Sequence, residues 1–93
     1  WNDMNEIATW GHALPENLVF DFEGNQSTAR RGRNVFGFQM ARATYEGTKE
    51  LLKGQRPFNL TRSGFSGVQR YAAVWTGDNV SYDEHMLLGV RLV

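Results

Sequence analysis

Residues 61–79 read TRSGFSGVQRYAAVWTGDN, and they answer to residues 1–6, WNDMNE, at the start of the chain. Each stretch ends an apolar or β-prone run with a carboxylate beside Trp, Gly or Asn, which is where the end of a strand hands side chains to a pocket. Asp3 and Asp78 are therefore the candidate catalytic pair. Within the longer stretch, residues 70–75 read as a strand whose small Ala72 and Ala73 suit a crowded interior, and Asp78 follows just beyond its C-terminal end. Residues 63–69 hold two glycines and read as a loop with a short helical turn.

Working outward, residues 58–61 read as another strand, set off by Pro57, which forbids helix and favours an extended Arg56. Before it, Asn34 can cap a helix along which Phe36, Met40, Ala43, Gly47 and Leu51 recur at helical spacing, with Arg42, Glu46, Lys49 and Lys53 on another face and Gly54 as the stop. Helix, tight turn and strand in that order form half of a βαβ crossover, which favours a parallel sheet over a sandwich. Residues 1–5 read as the tail of an earlier strand. From residue 7 to residue 33 no period is sustained, and Gly11, Pro15, Gly24, Asn25, Ser27 and Gly32 punctuate a long irregular connection; only residues 18–22 alternate as a short strand or extended lid would. At the other end, Ser81 and Glu84 form a capping box that opens a last helix, with Met86, Leu87 and Val90 beginning its buried face. The expected order is strand, helix, strand, strand, helix.

Both stretches resemble the signatures of glycoside hydrolase family 31, the α-glucosidase-like enzymes built on a (β/α)8 TIM barrel. Trp1, Asp3, Met4, Asn5 and Glu6 match the first motif, and Arg62, Ser63, Gly67, Trp75, Gly77, Asp78 and Asn79 the second; the likeness covers essentially the whole chain. Two departures are visible: Ile7 stands where many members have Pro, and Arg33 precedes Asn34 where many have His. The resemblance implies an α/β fold in which residues 1–93 are the central segment of one catalytic barrel domain, with residues 7–33 a long loop at the active-site mouth. It also implies a retaining, exo-acting α-glycosidase, foremost an α-glucosidase, with another α-glycosidase or transglycosylase (α-xylosidase, α-galactosidase) or a non-catalytic carbohydrate-binding homologue as alternatives. By the same resemblance Asp3 falls on the nucleophile, Asp78 on the general acid/base and Arg62 on the sugar-binding subsite.

The chemistry suits these residue types. Glycoside hydrolysis needs one carboxylate to attack the anomeric carbon and a carboxylic acid to protonate the leaving oxygen, and two carboxyl groups about 5–5.5 Å apart do not both ionise cheaply. Trp1 and Trp75 offer apolar faces to the C–H face of a sugar, and Met4 suits a wall of the same pocket. Asn5, Glu6 and Asn79 are expected to orient the carboxylates. Taken alone, each residue has a plainer reading: a strand-end Asp as turn former or helix cap, the two Trp as core, Arg62 as a paired surface arginine.

Composition excludes other classes. Ten basic and ten acidic side chains give a formal net charge of zero, which removes the broad attraction that nucleic-acid or anionic-membrane binding relies on. Without Cys there is no disulfide framework or thiolate metal site, and His12 and His85 lie far apart with no Glu or Cys cluster, so neither a metal nor a cofactor is expected. No run approaches the roughly 20 apolar residues of a membrane span. The partner expected is an oligosaccharide or α-glycoside. The start on Trp1 and the stop at Val93 within the apolar run MLLGVRLV read as a piece of a longer chain that requires the rest of its barrel. Of the three sequons, those at Asn59 and Asn79 fall on a strand and beside a carboxylate, leaving only Asn25 as an exposed acceptor.

Overall fold

The computed structural model describes residues 1–92. In chain order they form β1 (Val19–Phe22), β2 (Asn25–Thr28), α1 (Ala29–Leu51), β3 (Leu60–Thr61), a 3-10 turn (Val68–Arg70), β4 (Ala73–Val74) and α2 (Asp83–Leu92).

Three extended segments run parallel. β3 pairs with β4 in the register Leu60↔Ala73 and Thr61↔Val74. On its other edge Asn2 makes a parallel bridge to Thr61, with the Asn2 N–H donating to the Leu60 carbonyl at 2.8 Å and the Arg62 N–H donating to the Asn2 carbonyl at 3.0 Å. β3 is thus central, and α1 lies between the first and second parallel segments in the chain. A parallel pair cannot be closed by a hairpin and needs such a crossover. Parallel segments with helical crossovers are what a piece of a (β/α)8 barrel contains; among the described residues the segments do not close into one.

α1 packs on this sheet through its smallest side chains. Gly37 and Ala41 are buried in the helix, and Thr44 accepts a hydrogen bond from Asn2 Nδ2 at 3.0 Å. A Cβ on Gly37 would stand 2.5 Å from Ser63 Oγ and 3.0 Å from the Ser63 backbone carbon, so glycine is what permits this approach. The face expected to be buried lies about one residue round the helix. Phe36 and Met40 turn toward the hairpin, while Leu51 is 80% exposed, because close approach to backbone selects small residues over large ones.

The start of α1 also differs from expectation. The helix opens at Ala29, behind an extended Thr28, and Asn34 lies inside it. Its first free N–H groups are satisfied by backbone rather than by a side-chain cap: Ala29 N–H donates to the Leu18 carbonyl and Arg30 N–H to the Glu16 carbonyl, each at 2.9 Å. The connection expected over residues 7–33 therefore ends at Thr28, and its second half is an antiparallel hairpin, Val19↔Thr28 to Phe22↔Asn25. Glu23 (φ 53°) and Gly24 (φ 80°) make the turn, meeting the demand of a tight hairpin for two positive φ angles, and Asp21 Oδ1 accepts the Gly24 N–H at 3.0 Å. The hairpin tip is tied to α1 by Arg42, which pairs with both Glu23 and Glu46; Glu46 first and Glu23 second raise the Arg42 guanidinium above its usual range.

Two further expectations change. The strand over residues 70–75 contracts to Ala73–Val74 because Val68–Arg70 continue as a 3-10 turn that Tyr71 and Ala72 close onto the Val68 carbonyl. α2 begins at Asp83, two residues after Ser81, and its apolar face is not buried: Met86, Leu87 and Val90 are 63%, 51% and 71% exposed. α2 comes close to the segment that follows β4 where Gly89 approaches Thr76. No described helix is long and apolar enough to cross a membrane.

Candidate active site

All three parallel segments deliver their next residues to the same end of the sheet. Asp3 follows Asn2, Arg62 follows Thr61, and Asp78 lies four residues past Val74. Strand carboxyl ends are where open or closed α/β sheets place their ligands.

Arg62 joins the cluster. Its Nη1 lies 3.4 Å from Asp3 Oδ1 and 3.4 Å from Asp78 Oδ2, and its Nε lies 3.5 Å from Glu6 Oε1. Because one nitrogen touches both aspartates, those two oxygens stand no further apart than twice that reach. Such a bound admits the about 5–5.5 Å separation of a carboxyl pair that acts on one glycosidic bond. The guanidinium is well suited to the task, since its planar fork can meet several carboxylates from fixed directions. Met4 Sδ closes another side, 3.1 Å from Nη1.

Local backbone aims each group. Met4 adopts φ 54°, a left-handed conformation that a non-glycine residue holds only when its surroundings impose it. The turn lets Asp3 Oδ1 accept the Met4 N–H at 2.9 Å, holding the carboxylate toward Arg62. Asn5 then locks the loop to the sheet: Nδ2 donates to Thr61 Oγ1 at 2.9 Å and Oδ1 accepts the Ser63 N–H at 3.0 Å. On the opposite side, Gly77 at φ 76° turns the chain back over Arg62, and a Cβ there would stand 3.4 Å from Arg62 Nε. Asn79 closes this turn by donating from Nδ2 to Thr76 Oγ1.

Asp3, Met4, Glu6, Arg62 and Asp78 are therefore gathered round one guanidinium. Trp1 and Trp75 meet each other, with ring centroids 6.1 Å apart and planes inclined by 52°. Trp1 is 77% exposed, so its face is open to a ligand. Asn5 and Asn79, expected to orient carboxylates, bond Thr61, Ser63 and Thr76 instead, and so hold the backbone that carries them. The anchors Asn2 and Thr44 escaped sequence reasoning, since a lone polar residue in an extended segment and a helix Thr share no local signal. An open cleft of about 520 Å³ runs beside the carboxylates, lined by Glu6, Arg62, Ser63, Thr76, Gly77 and Asp78. A larger hollow of about 590 Å³ flanks α2, but the converging charges lie in the smaller one. One oxygen of Glu6, Oε2, is buried without a hydrogen-bond partner among the described residues. No described group of three or more His, Asp or Glu is arranged to hold a metal ion.

A parallel sheet that gathers carboxylates and an arginine at its strand ends defines part of an α/β protein. Sequence comparison agrees, since the glycosyl hydrolases family 31 TIM-barrel domain matches residues 1–93. The chain belongs to that family. It is 51% identical over 94 residues to alpha-glucosidase 2 of Bacillus thermoamyloliquefaciens, covering 99% of this chain and 12% of that protein. It is 37% identical to glucosidase 2 subunit alpha of Saccharomyces cerevisiae, over 100% of this chain and 10% of that one, and 38% identical to human neutral alpha-glucosidase C, again over 100% and 10%. The chain thus spans about a tenth of the length of these relatives.

Proposed function

We propose that these residues form the catalytic segment of a retaining, exo-acting α-glucosidase that releases terminal α-linked glucose, and that they work within a complete (β/α)8 barrel. One observation carries the reading: a single Arg62 nitrogen lies 3.4 Å from both Asp3 and Asp78, bringing the carboxylates of two distant motifs to one site. The names of the relatives support the substrate class.

In the first step the Asp3 carboxylate attacks the anomeric carbon, forming an ester bond as the glycosidic C–O bond breaks, and Asp78 gives its proton to the departing oxygen. In the second, Asp78 takes a proton from water, whose oxygen attacks the same carbon and frees Asp3 with net retention. Arg62 binds the sugar and fixes both carboxylates; Glu6, on its Nε, sets the direction of the fork. Met4, Trp1 and Trp75 wall the glucose, and residues 7–28 line the mouth.

The test uses the complete barrel protein. With Asp3→Ala, hydrolysis of every substrate is lost, and azide restores turnover of an aryl α-glucoside with a β-glucosyl azide as product. With Asp78→Ala, maltose hydrolysis falls far more than hydrolysis of an activated aryl α-glucoside, and a covalent glucosyl adduct on Asp3 accumulates in the intact mass. Equal, near-normal hydrolysis of both substrates by Asp78→Ala overturns the assignment.

A further inference from the structure

Asp78 is 86% exposed in its side chain, so packing does not hold it. Besides its ion pair to Arg62, its position depends on the loop that carries it. Residues 76–79 are closed upon themselves by Asn79, through its side chain to Thr76 and its N–H to the Gly77 carbonyl at 3.1 Å. The far half is held by a side chain from α2: His85 Nδ1 accepts the Val80 N–H at 3.0 Å. This bond uses the Nδ1 lone pair and leaves the ring hydrogen on Nε2. The ring is steadied edge-on by Tyr82, centroids 6.2 Å apart. Gly89, one turn further along α2, approaches Thr76 at the other end of the loop. The helix therefore grips the loop at both ends, and His85 supplies the directional contact.

We propose that His85 is a positioning residue for the general acid: through Val80 it fixes the loop that sets the reach of Asp78 to the leaving oxygen. The proposal rests on the reading of Asp78 as acid/base. A misplacement of about 1 Å can cost about 100-fold in rate, and the loss falls on the step that needs the proton.

The experiment compares His85→Ala and His85→Asn in the complete barrel protein, using maltose and an aryl α-glucoside whose leaving group needs no protonation. The measured quantity is the ratio of kcat on the two substrates, which is independent of the fraction of protein folded. In His85→Ala the maltose kcat should fall at least about tenfold relative to the aryl substrate, with KM little changed. His85→Asn, whose Oδ1 sits near the place of Nδ1, should restore the ratio, and Val80 amide exchange should quicken in the Ala variant and recover in the Asn variant. An unchanged ratio in His85→Ala, equal loss on both substrates, or no recovery with Asn overturns the proposal. Asp78→Ala, measured alongside, separates the two failures: lack of leaving-group discrimination in that variant overturns the functional reading, and Val80 exchange unchanged by His85→Ala overturns the tether by itself.

Discussion

Asn5 grips Ser63 across 58 positions of sequence: its Oδ1 accepts the Ser63 N–H at 3.0 Å, while its Nδ2 donates to Thr61 at 2.9 Å. Asn5 and Thr61 are the largest side chains buried to the last 2%, so the seam between the two motif loops is polar, and the side-chain polar atoms of both residues are paired there. Asn5→Ala removes both bonds at once and leaves the part-buried Ser63 N–H unmet, which should cost about 1–3 kcal/mol. It should also lower kcat more than KM, because Asp3 sits two residues away. Denaturant unfolding and steady-state kinetics of the complete barrel protein check this, and unchanged stability would count against the seam.

Gly37 should tolerate no side chain. Alanine gains about 1 kcal/mol of helix propensity over glycine, but a Cβ 2.5 Å from Ser63 Oγ and 3.0 Å from its backbone must push β3's exit away from α1. Overpacking of this kind costs about 1–3 kcal/mol. Gly37→Ala should therefore come out destabilising, and Gly37→Val more so, with activity falling in step as Arg62 moves. A gain in unfolding midpoint for Gly37→Ala would show the helix to be less tightly seated.

Arg62→Lys keeps the charge and loses the fork. An ammonium cannot hold Nη1 against two aspartates while presenting a second nitrogen to Glu6. The expected outcome is a drop of about 100-fold or more in kcat/KM on α-glucosides with the fold retained by circular dichroism. Near-normal kinetics in Arg62→Lys would mean that the carboxylates are positioned by other groups.

Ile7 holds φ 54°, a left-handed geometry that a β-branched residue adopts against strain. Proline locks φ near −65°, so Ile7→Pro should destabilise the protein and impair activity by turning Glu6 away from Arg62, even though many family members carry Pro there. Ile7→Gly should leave activity intact. Equal stability of the Pro variant, measured by thermal unfolding, would show that the loop after Glu6 can take either course.

The isolated segment should not unfold cooperatively. Among the described residues the buried hydrophobic core is Ala29 and Ala41, and Phe58, Leu51 and Val90 are 70% exposed or more. Its radius of gyration of 15.2 Å exceeds the about 12 Å expected for a compact chain of this length. The outer edge of β4, bearing Val74, is unpaired among the described residues and invites association. A sharp thermal transition of the purified, monomeric 93-residue chain would contradict this.

The sequence by itself carried the family, the parallel α/β character, and the loops that end in Asp3, Arg62 and Asp78. Each of these is written in short range: a strand-end carboxylate beside Gly or Asn, a proline after a helix stop, a motif of fixed spacing. Periodicity misjudged the seating of α1, because it weighs hydrophobicity while the contact with Ser63 was decided by the absence of a side chain at Gly37. The hairpin was half visible in Val19–Phe22, but its partner NQST is polar and shows no β signal until pairing supplies its hydrogen bonds. Only the tertiary structure decided that one Arg62 nitrogen serves both aspartates and that His85 reaches back to Val80. Such contacts join residues that share no local pattern, and they exist only once the parallel segments fix which loops leave the sheet side by side.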